Sequence, residues 1–353
     1  MMQVDYIIIG QGISGTFLSW YLQKMNKSFV VIDNNDQASA SRVAAGIINP
    51  VTGRRIVKTW MIDDLLPFVC ETYDQLGKDL NTTAISQKNI IEFFPTLQIK
   101  NAFEERIKEN LDYLKNNSAL KKYNSIFNSD FGYAEIDPCY LIHLDSIIPR
   151  WRQKLIASDS LLEDDFDQEL MFAQDTVSYK NITAQKIIFC DGINSIQNPF
   201  FKNLPFSQVK GEALIIESQD LPTNNIFKKS MILAPMNEPG YFWVGSNYLW
   251  DFDDNQPSEF FRKKTEQLLN EWMKIPYKIV DHKSSIRPAT LERRPFVGLH
   301  PLNNKVGILN GMGTKGCSLA PFFAKQMANH LVSGLPIMPE ANIDRFSKII
   351  SKN

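Results

Sequence analysis

The segment from Val4 to Asp33 constrains the fold of this chain more than any other. The apolar run Tyr6-Ile-Ile-Ile9 breaks at Gly10-Gln-Gly12-Ile-Ser-Gly15. Apolar residues then recur with helical spacing at Ile13, Phe17, Leu18, Tyr21, Leu22 and Met25. A second run, Phe29-Val-Val-Ile32, ends on Asp33. Strand, glycine turn, helix, strand and acid form the unit that binds the ADP half of a dinucleotide. Gly10 permits the tight turn out of the strand, Gly12 lets backbone approach a pyrophosphate, and Gly15 lets the helix pack on the strand. The pyrophosphate then faces the free N–H groups and positive end of the helix, and Asp33 accepts hydrogen bonds from a ribose.

A small, polar stretch follows, from Asn34 to Arg42, and leads into Val43-Ala-Ala-Gly46-Ile-Ile-Asn-Pro-Val-Thr-Gly53-Arg-Arg55. Its glycine and alanine content suits a loop whose backbone must come close to something. Periodicity predicts helices over 63–76, 102–115, 141–155 (kinked at Pro149), 258–273 capped by Ser258, and 322–332. The helix after Ser258 is expected to bury Phe260, Phe261, Thr265, Leu268, Leu269 and Trp272. Strand-like runs lie at 90–94, 169–172, 176–179 and 186–190. The last ends on Asp191-Gly192, as if the chain had returned to the first sheet, with Gly10, Asp33 and Gly192 at neighbouring strand ends. From Phe206 the runs 214–217, 231–233 and 241–244 have hairpin-like spacing and predict an antiparallel sheet.

A second glycine turn, Gly311-Met-Gly313-Thr-Lys315-Gly316, joins a strand (306–309) to the closing helix. A nicotinamide domain would follow its first turn with a self-contained set of βαβ repeats. FAD is longer: its ADP end can sit on the first turn while a remote segment holds the flavin. N–H groups of the second turn, the dipole of the last helix and Lys315 would then face the flavin edge that becomes negative on reduction. A helix end contributes about 0.5–2 kcal/mol to such a charge, which raises the reduction potential.

In these residues the chain resembles the D-amino-acid-oxidase-type FAD-dependent oxidoreductases, the family of glycine oxidase and sarcosine oxidase. The resemblance runs in order through the Gly10 turn with Asp33, Ala40-Ser41-Arg42-Val-Ala-Ala-Gly46, Phe189-Cys-Asp-Gly192, Val209-Lys-Gly211, Val244-Gly245-Ser246, Ile286-Arg287-Pro288 and the turn ending Ala320-Pro321. It implies an α/β fold: a Rossmann-type FAD-binding domain (1–60, 137–205, 285–353) interleaved with an α+β substrate domain on a mostly antiparallel sheet (61–136, 206–284). The cofactor-binding residues it implies are Gly10, Gly12, Ile13, Ser14, Gly15, Asp33, Asn34, Ser41, Arg42, Ala45, Gly46, Ile47, Gly192, Gly311, Gly313, Thr314, Lys315 and Gly316. The implied catalytic residues are Arg287, which holds a substrate carboxylate by a two-pronged charged hydrogen bond, together with Tyr248 and Lys315. A salt bridge from Arg287 to Glu292 is the alternative use of that arginine. The chain departs from the family at Cys190-Asp191, where alanine-glycine is usual. It departs again at Ile232, where glycine oxidase carries a tyrosine; Tyr248 is expected to fill that space.

The expected reaction is oxidation of a C–N bond in an amino acid or related amine by hydride transfer to flavin, giving an imine that hydrolyses. Removal of a carboxymethyl group from a modified tRNA wobble uridine, a pyridine-nucleotide dehydrogenase and a non-catalytic flavin protein are the alternatives. With a net charge of −1, nothing in the bulk electrostatics calls for nucleic acid or an anionic membrane as a partner. No apolar run reaches membrane-span length, and no room for a signal peptide precedes the first strand. With Cys70, Cys139, Cys190 and Cys317 widely spread, these features predict a cytoplasmic protein with a small amine substrate and non-covalent FAD. Cys317, beside the second turn, is the one cysteine placed to qualify the non-covalent reading. The four histidines make no metal-spaced pair, and no metal is expected. Arg54 and Arg55 are either entrance residues for a large anionic substrate or solvated side chains, and the acidic run Glu163–Asp167 reads as solvated loop.

Overall fold

The structure, a computed structural model, describes residues 2–351 apart from 54, 110, 117 and 168. The chain divides into two compact units. The first comprises Met1–Arg42, Asp145–Val209 and Ile286–Asn353, and the second Val43–Leu144 and Lys210–Ser285. Residues 43–60, grouped by sequence with the first glycine turn, pack in the second unit.

The first unit is built on β1 (Met2–Ile9), α1 (Ile13–Lys24), β2 (Phe29–Ile32), α2 (Leu144–Ala157), β3 (Ile182–Phe189), β4 (Asn303–Asn310) and α3 (Gly316–Ser333). β1 lies between β2 and β3 and runs parallel to both. β4 pairs parallel with the end of β3, and the short strand Leu161–Leu162 extends the sheet beyond β2. This places the ends of β2, β1, β3 and β4 side by side, the arrangement in which ligands collect at the carboxyl edge of a parallel sheet. The strands are continuous apolar runs because both faces are covered. One face buries Ile7, Ile9, Val30, Ile187, Phe189, Phe201 and Ile308 in a single cluster.

Periodicity assigns α1 a single buried face, yet every residue from Ile13 to Leu22 is buried. α1 is covered on more than one side. It packs against α3, and Trp151 of α2 donates its indole N–H to Ser19 Oγ at 2.8 Å. α3 also begins six residues earlier than its apolar pattern suggests, so the second glycine turn supplies its N-terminus.

In the second unit an eight-stranded sheet runs in the order 278–290, 206–217, 241–245, 232–235, 226–228, 90–93, 133–136 and 114–115. From 206–217 onward its pairings are antiparallel except that between 226–228 and 90–93. The predicted antiparallel sheet is therefore present and larger than expected. The helix placed over 102–115 instead spans Leu97–Lys108, started by Thr96, whose hydroxyl accepts from Ile99 N–H at 3.3 Å. Leu114-Lys115 is needed as the edge strand on 133–136, which ends the helical path. The helix after Ser258 is capped as expected and buries Phe261, Thr265, Leu269 and Trp272, whereas Phe260 faces solvent. No helix among the described residues is long and apolar enough to cross a membrane.

Candidate active site

The first glycine turn is fixed by the absence of side chains. Gly10 has φ +95°, and a Cβ there would lie 2.6 Å from the carbonyl oxygen of Cys190, the residue just after β3. At Gly15 a Cβ would lie 1.9 Å from the carbonyl oxygen of Gly10. No side chain fits either place, so helix and strand approach as the turn requires.

The donors of this turn are shared with the protein itself. Gln11 N–H donates to Asp33 Oδ2 at 2.7 Å and Ile13 N–H to Ser41 Oγ at 3.0 Å. Ser14 and Gly15 remain as first-turn donors that have no intrahelical acceptor. Asp33 also accepts from Asn35 N–H at 2.9 Å and pairs with Arg152 Nη1 at 2.6 Å. Sequence reading missed Arg152. It is buried on α2, and its other nitrogen pairs with Glu163 at 2.6 Å. Glu163 opens the run read as solvated loop. Its exposed carboxylate is the one clue to a buried cation, and nothing in linear order connects 152 to 33. Asn34 points its amide to Asp165 at 2.7 Å on the exposed surface.

Arg42 carries the clearest sign of a ligand. Its Nη2 is buried without a hydrogen-bond partner. Burial lowers its pKa, Asp33 and Asp36 act in the opposite direction, and Arg152 adds to the lowering. A buried, unsatisfied guanidinium nitrogen is costly, and an anion is the group that satisfies it. Asp33, Ser41, Arg42 and the α1 N-terminus therefore form a cradle that fits the phosphate and ribose portion of a dinucleotide.

The second turn lies in the same unit and meets the first. A Cβ on Gly316 would be 3.5 Å from Ile13 Cγ2, so the starts of α3 and α1 abut. Gly311 N–H donates to Asn310 Oδ1 at 2.8 Å, and Asn310 Nδ2 donates to Gly192 O at 2.7 Å and Ser195 Oγ at 2.8 Å. Gly192 is thus tied to the second turn through Asn310, another residue sequence reading missed. Gly313, Thr314 and Lys315 form a single 3-10 turn leading into α3. Arg287 lies on strand 278–290, in its first-unit portion. Glu292, its alternative partner, pairs with Arg345 at 3.2 Å.

The remaining predicted residues are in the second unit. Gly46 approaches another backbone: a Cβ there would lie 2.1 Å from Ile142 O, and Ile142 N–H donates to Gly46 O at 2.8 Å. Ile47 continues this pairing as a strand on 140–142, with Ala45 just before it. The closeness that the composition demanded is thus met by the protein's own strand. Tyr248 is 50% exposed and stacks on Trp250 with ring centroids 6.2 Å apart. Tyr241 and Trp243 share the less buried face of their strand, and Trp243 Nε1 donates to Val43 O at 2.8 Å. Arg55 is exposed, its carbonyl accepting from Arg106 Nε at 3.1 Å; Arg54 lies outside the described residues.

Glu212, fully buried, organises this part of the second unit. It accepts from Ser258 N–H at 2.6 Å, Ser258 Oγ at 2.9 Å and Asn247 Nδ2 at 3.1 Å. His282 Nε2 lies 3.1 Å from the same carboxylate, near enough for charge attraction, but is aimed off the line of a hydrogen bond. Burial lowers the pKa of His282 against the pull of Glu212.

A family model described as DAO, FAD dependent oxidoreductase, matches residues 164–330. Glycine oxidase of Bacillus subtilis (strain 168) is 22% identical over 363 residues, covering 96% of this chain and 95% of that protein. The crystal structure of glycine oxidase from Geobacillus kaustophilus superposes with a TM-score of 0.80 at 16% identity, covering 100% of both chains. That of L-proline dehydrogenase from P. horikoshii gives 0.77 at 14% identity over 98% of each. These likenesses fix the α/β fold, and the cradle in the first unit suits the cofactor for which the matching family is described. Residues 164–330 carry the match to the DAO, FAD dependent oxidoreductase, family, and the chain along nearly its whole length is similar to FAD-dependent enzymes of the amino-acid and amine oxidase type.

Proposed function

We propose that this enzyme oxidises a C–N bond of a small, carboxylated amine, releasing an imine that hydrolyses in water. The observation that carries the reading is the abutment of the two glycine turns within one unit, Gly316 against Ile13, beside the unsatisfied Arg42. One elongated dinucleotide explains both. FAD, when bound, supplies the two-electron acceptor.

The protein's own residues do the rest. Ser14 and Gly15 N–H, Arg42 and Asp33 hold the adenosine and pyrophosphate portion. The N-terminus of α3 and Lys315 favour negative charge at the opposite end, by about 0.5–2 kcal/mol for the helix alone. Arg287 anchors the substrate carboxylate with two parallel hydrogen bonds, which orients the α-carbon. A charge-assisted bond of this kind contributes about 1.5–3 kcal/mol. The amine reacts as the neutral species, so no side chain need take a proton from carbon. Tyr248 narrows the range of amines accepted. FAD is held without a covalent bond.

Glycine oxidase and proline dehydrogenase relatives favour amino acids as the substrate class. The test is an absorption spectrum of the purified protein, then an anaerobic screen of glycine, sarcosine, proline, D-amino acids and carboxymethylaminomethyl-uridine. We expect flavin bands that one or more of the free amino acids bleach. Bleaching by the nucleoside alone would replace this reading with the wobble-uridine reaction. A colourless protein that binds NAD would overturn it.

A further inference from the structure

Asp191 stands just past the end of β3, in the Cys190-Asp191 pair that replaces the alanine-glycine usual in the resembling family, and the mechanism above gives it no work. It is central to the first unit. Its Cα would lie 3.0 Å from a Cβ on Gly10, directly behind the first glycine turn. Ser195 Oγ donates to Asp191 Oδ1. Asn310 Nδ2 donates to Ser195 Oγ at 2.8 Å, and Asn310 Oδ1 accepts from Gly311 N–H at 2.8 Å. A continuous relay therefore runs from a carboxyl group behind the first turn to the first residue of the second.

The surroundings of this carboxyl are mostly uncharged. β1 ends in Gly10 and Gln11, and β4 in Asn310. Beyond β1, Asp33 and Arg152 are ion-paired at 2.6 Å, with Arg42 beside them. Lys315 lies on the turn into α3. Cys190 is adjacent, and burial together with Asp191 pushes its thiol pKa up. The residue keeps some exposed surface, but its carboxyl is enclosed, and burial raises its pKa to about 7 against the lowering effect of the Ser195 hydrogen bond.

We propose that Asp191 is a positioning residue that couples the retention of FAD to its own ionisation. Protonated, it leaves the strand ends free of negative charge. Ionised, it sets a like charge behind the turn that receives an anionic cofactor. The pyrophosphate stays ionised across the neutral range, so binding of FAD draws a proton onto Asp191. The inference rests on the FAD reading of the family and concerns the strength of the hold, not the chemistry.

The test is titration of the apoprotein with FAD, followed by flavin fluorescence, at fixed ionic strength across the neutral range. We expect the dissociation constant to rise about three- to tenfold as pH passes through the midpoint. Asp191→Asn should hold FAD with the tighter, low-pH constant at every pH. Ser195→Ala should move the midpoint upward, because it removes the hydrogen bond that opposes protonation. An unchanged pH dependence in Asp191→Asn, or a pH-independent wild type, would overturn the proposal. If Asp191→Asn does not fold, an unmoved midpoint in Ser195→Ala overturns it instead. Failure to bind FAD at any pH sinks the family reading first, and the proposal with it.

Discussion

The two glycine turns of the first unit look alike in sequence and are held by different physics. At the first, missing side chains are mandatory: a Cβ on Gly15 would lie 1.9 Å from a backbone oxygen. At the second, a Cβ on Gly316 would meet Ile13 Cγ2 at an ordinary 3.5 Å; Gly311, with φ +77°, excludes a Cβ only against the side chain of Thr290, at 2.6 Å, and Asn310 adds hydrogen bonds that keep the shape. The first turn is fixed by backbone packed against backbone, the second by a side-chain contact at Gly311 together with the polar contacts of Asn310. Steric fixation allows no tuning, whereas a hydrogen-bonded turn can shift with its partners. The first suits an invariant pyrophosphate, and the second a group whose charge changes during turnover.

Substitutions can break this contrast. Gly15→Ala should have the largest effect, because the contact is backbone against backbone. We expect loss of about 3 kcal/mol or more and purification without flavin, read from the urea midpoint and the flavin-to-protein ratio. A folded, yellow Gly15→Ala protein would show that the first turn is not sterically fixed. Arg287→Ala leaves both turns intact. It should lower kcat/KM for carboxylated amines by about 10²–10³-fold, several kcal/mol of transition-state binding, with the flavin content unchanged. Equal activity in the variant would remove Arg287 from the site.

Asn310→Ala tests the second turn. Three hydrogen bonds in a buried setting are lost, and we expect a stability loss of about 1–3 kcal/mol with weaker FAD binding, measured by thermal melting and fluorescence titration. Full stability would mean that the polar relay does not hold the turn. Gly316→Ala should do least, within about 1 kcal/mol in either direction, since alanine favours the helix and the contact is tolerable. A collapse comparable with Gly15→Ala would erase the distinction between the turns.

The parts of this molecule governed by short-range rules were legible in the sequence. Gly10, Gly12, Gly15 and Asp33 declare a strand–turn–helix–strand unit because each constraint acts within a few residues. The antiparallel sheet was visible through hairpin spacing. Residues joined across long separations were not. Arg152 reaches Asp33 from another helix, Asn310 reaches Ser195 from another strand, and Glu212 gathers Asn247 and Ser258 from a loop. No period or spacing encodes such pairs. Gly46 shows the opposite error: its composition correctly signalled a close approach but not the partner, which is the backbone of Ile142. Helix ends misled where a sheet needed the residues, as at Leu114-Lys115.

The order of strands in the first unit has a consequence for synthesis. β1 finds β2 almost at once, but its other edge waits for residues 182–189, and β3 waits in turn for 303–310. Helix α3, whose start abuts α1, comes later still. A growing chain on the ribosome therefore carries a half-finished nucleotide cradle until those residues are made, with one strand edge open to wrong partners. The cradle closes only when residues 303–333 have emerged, which ties cofactor capture to segments made about 300 residues after the first turn.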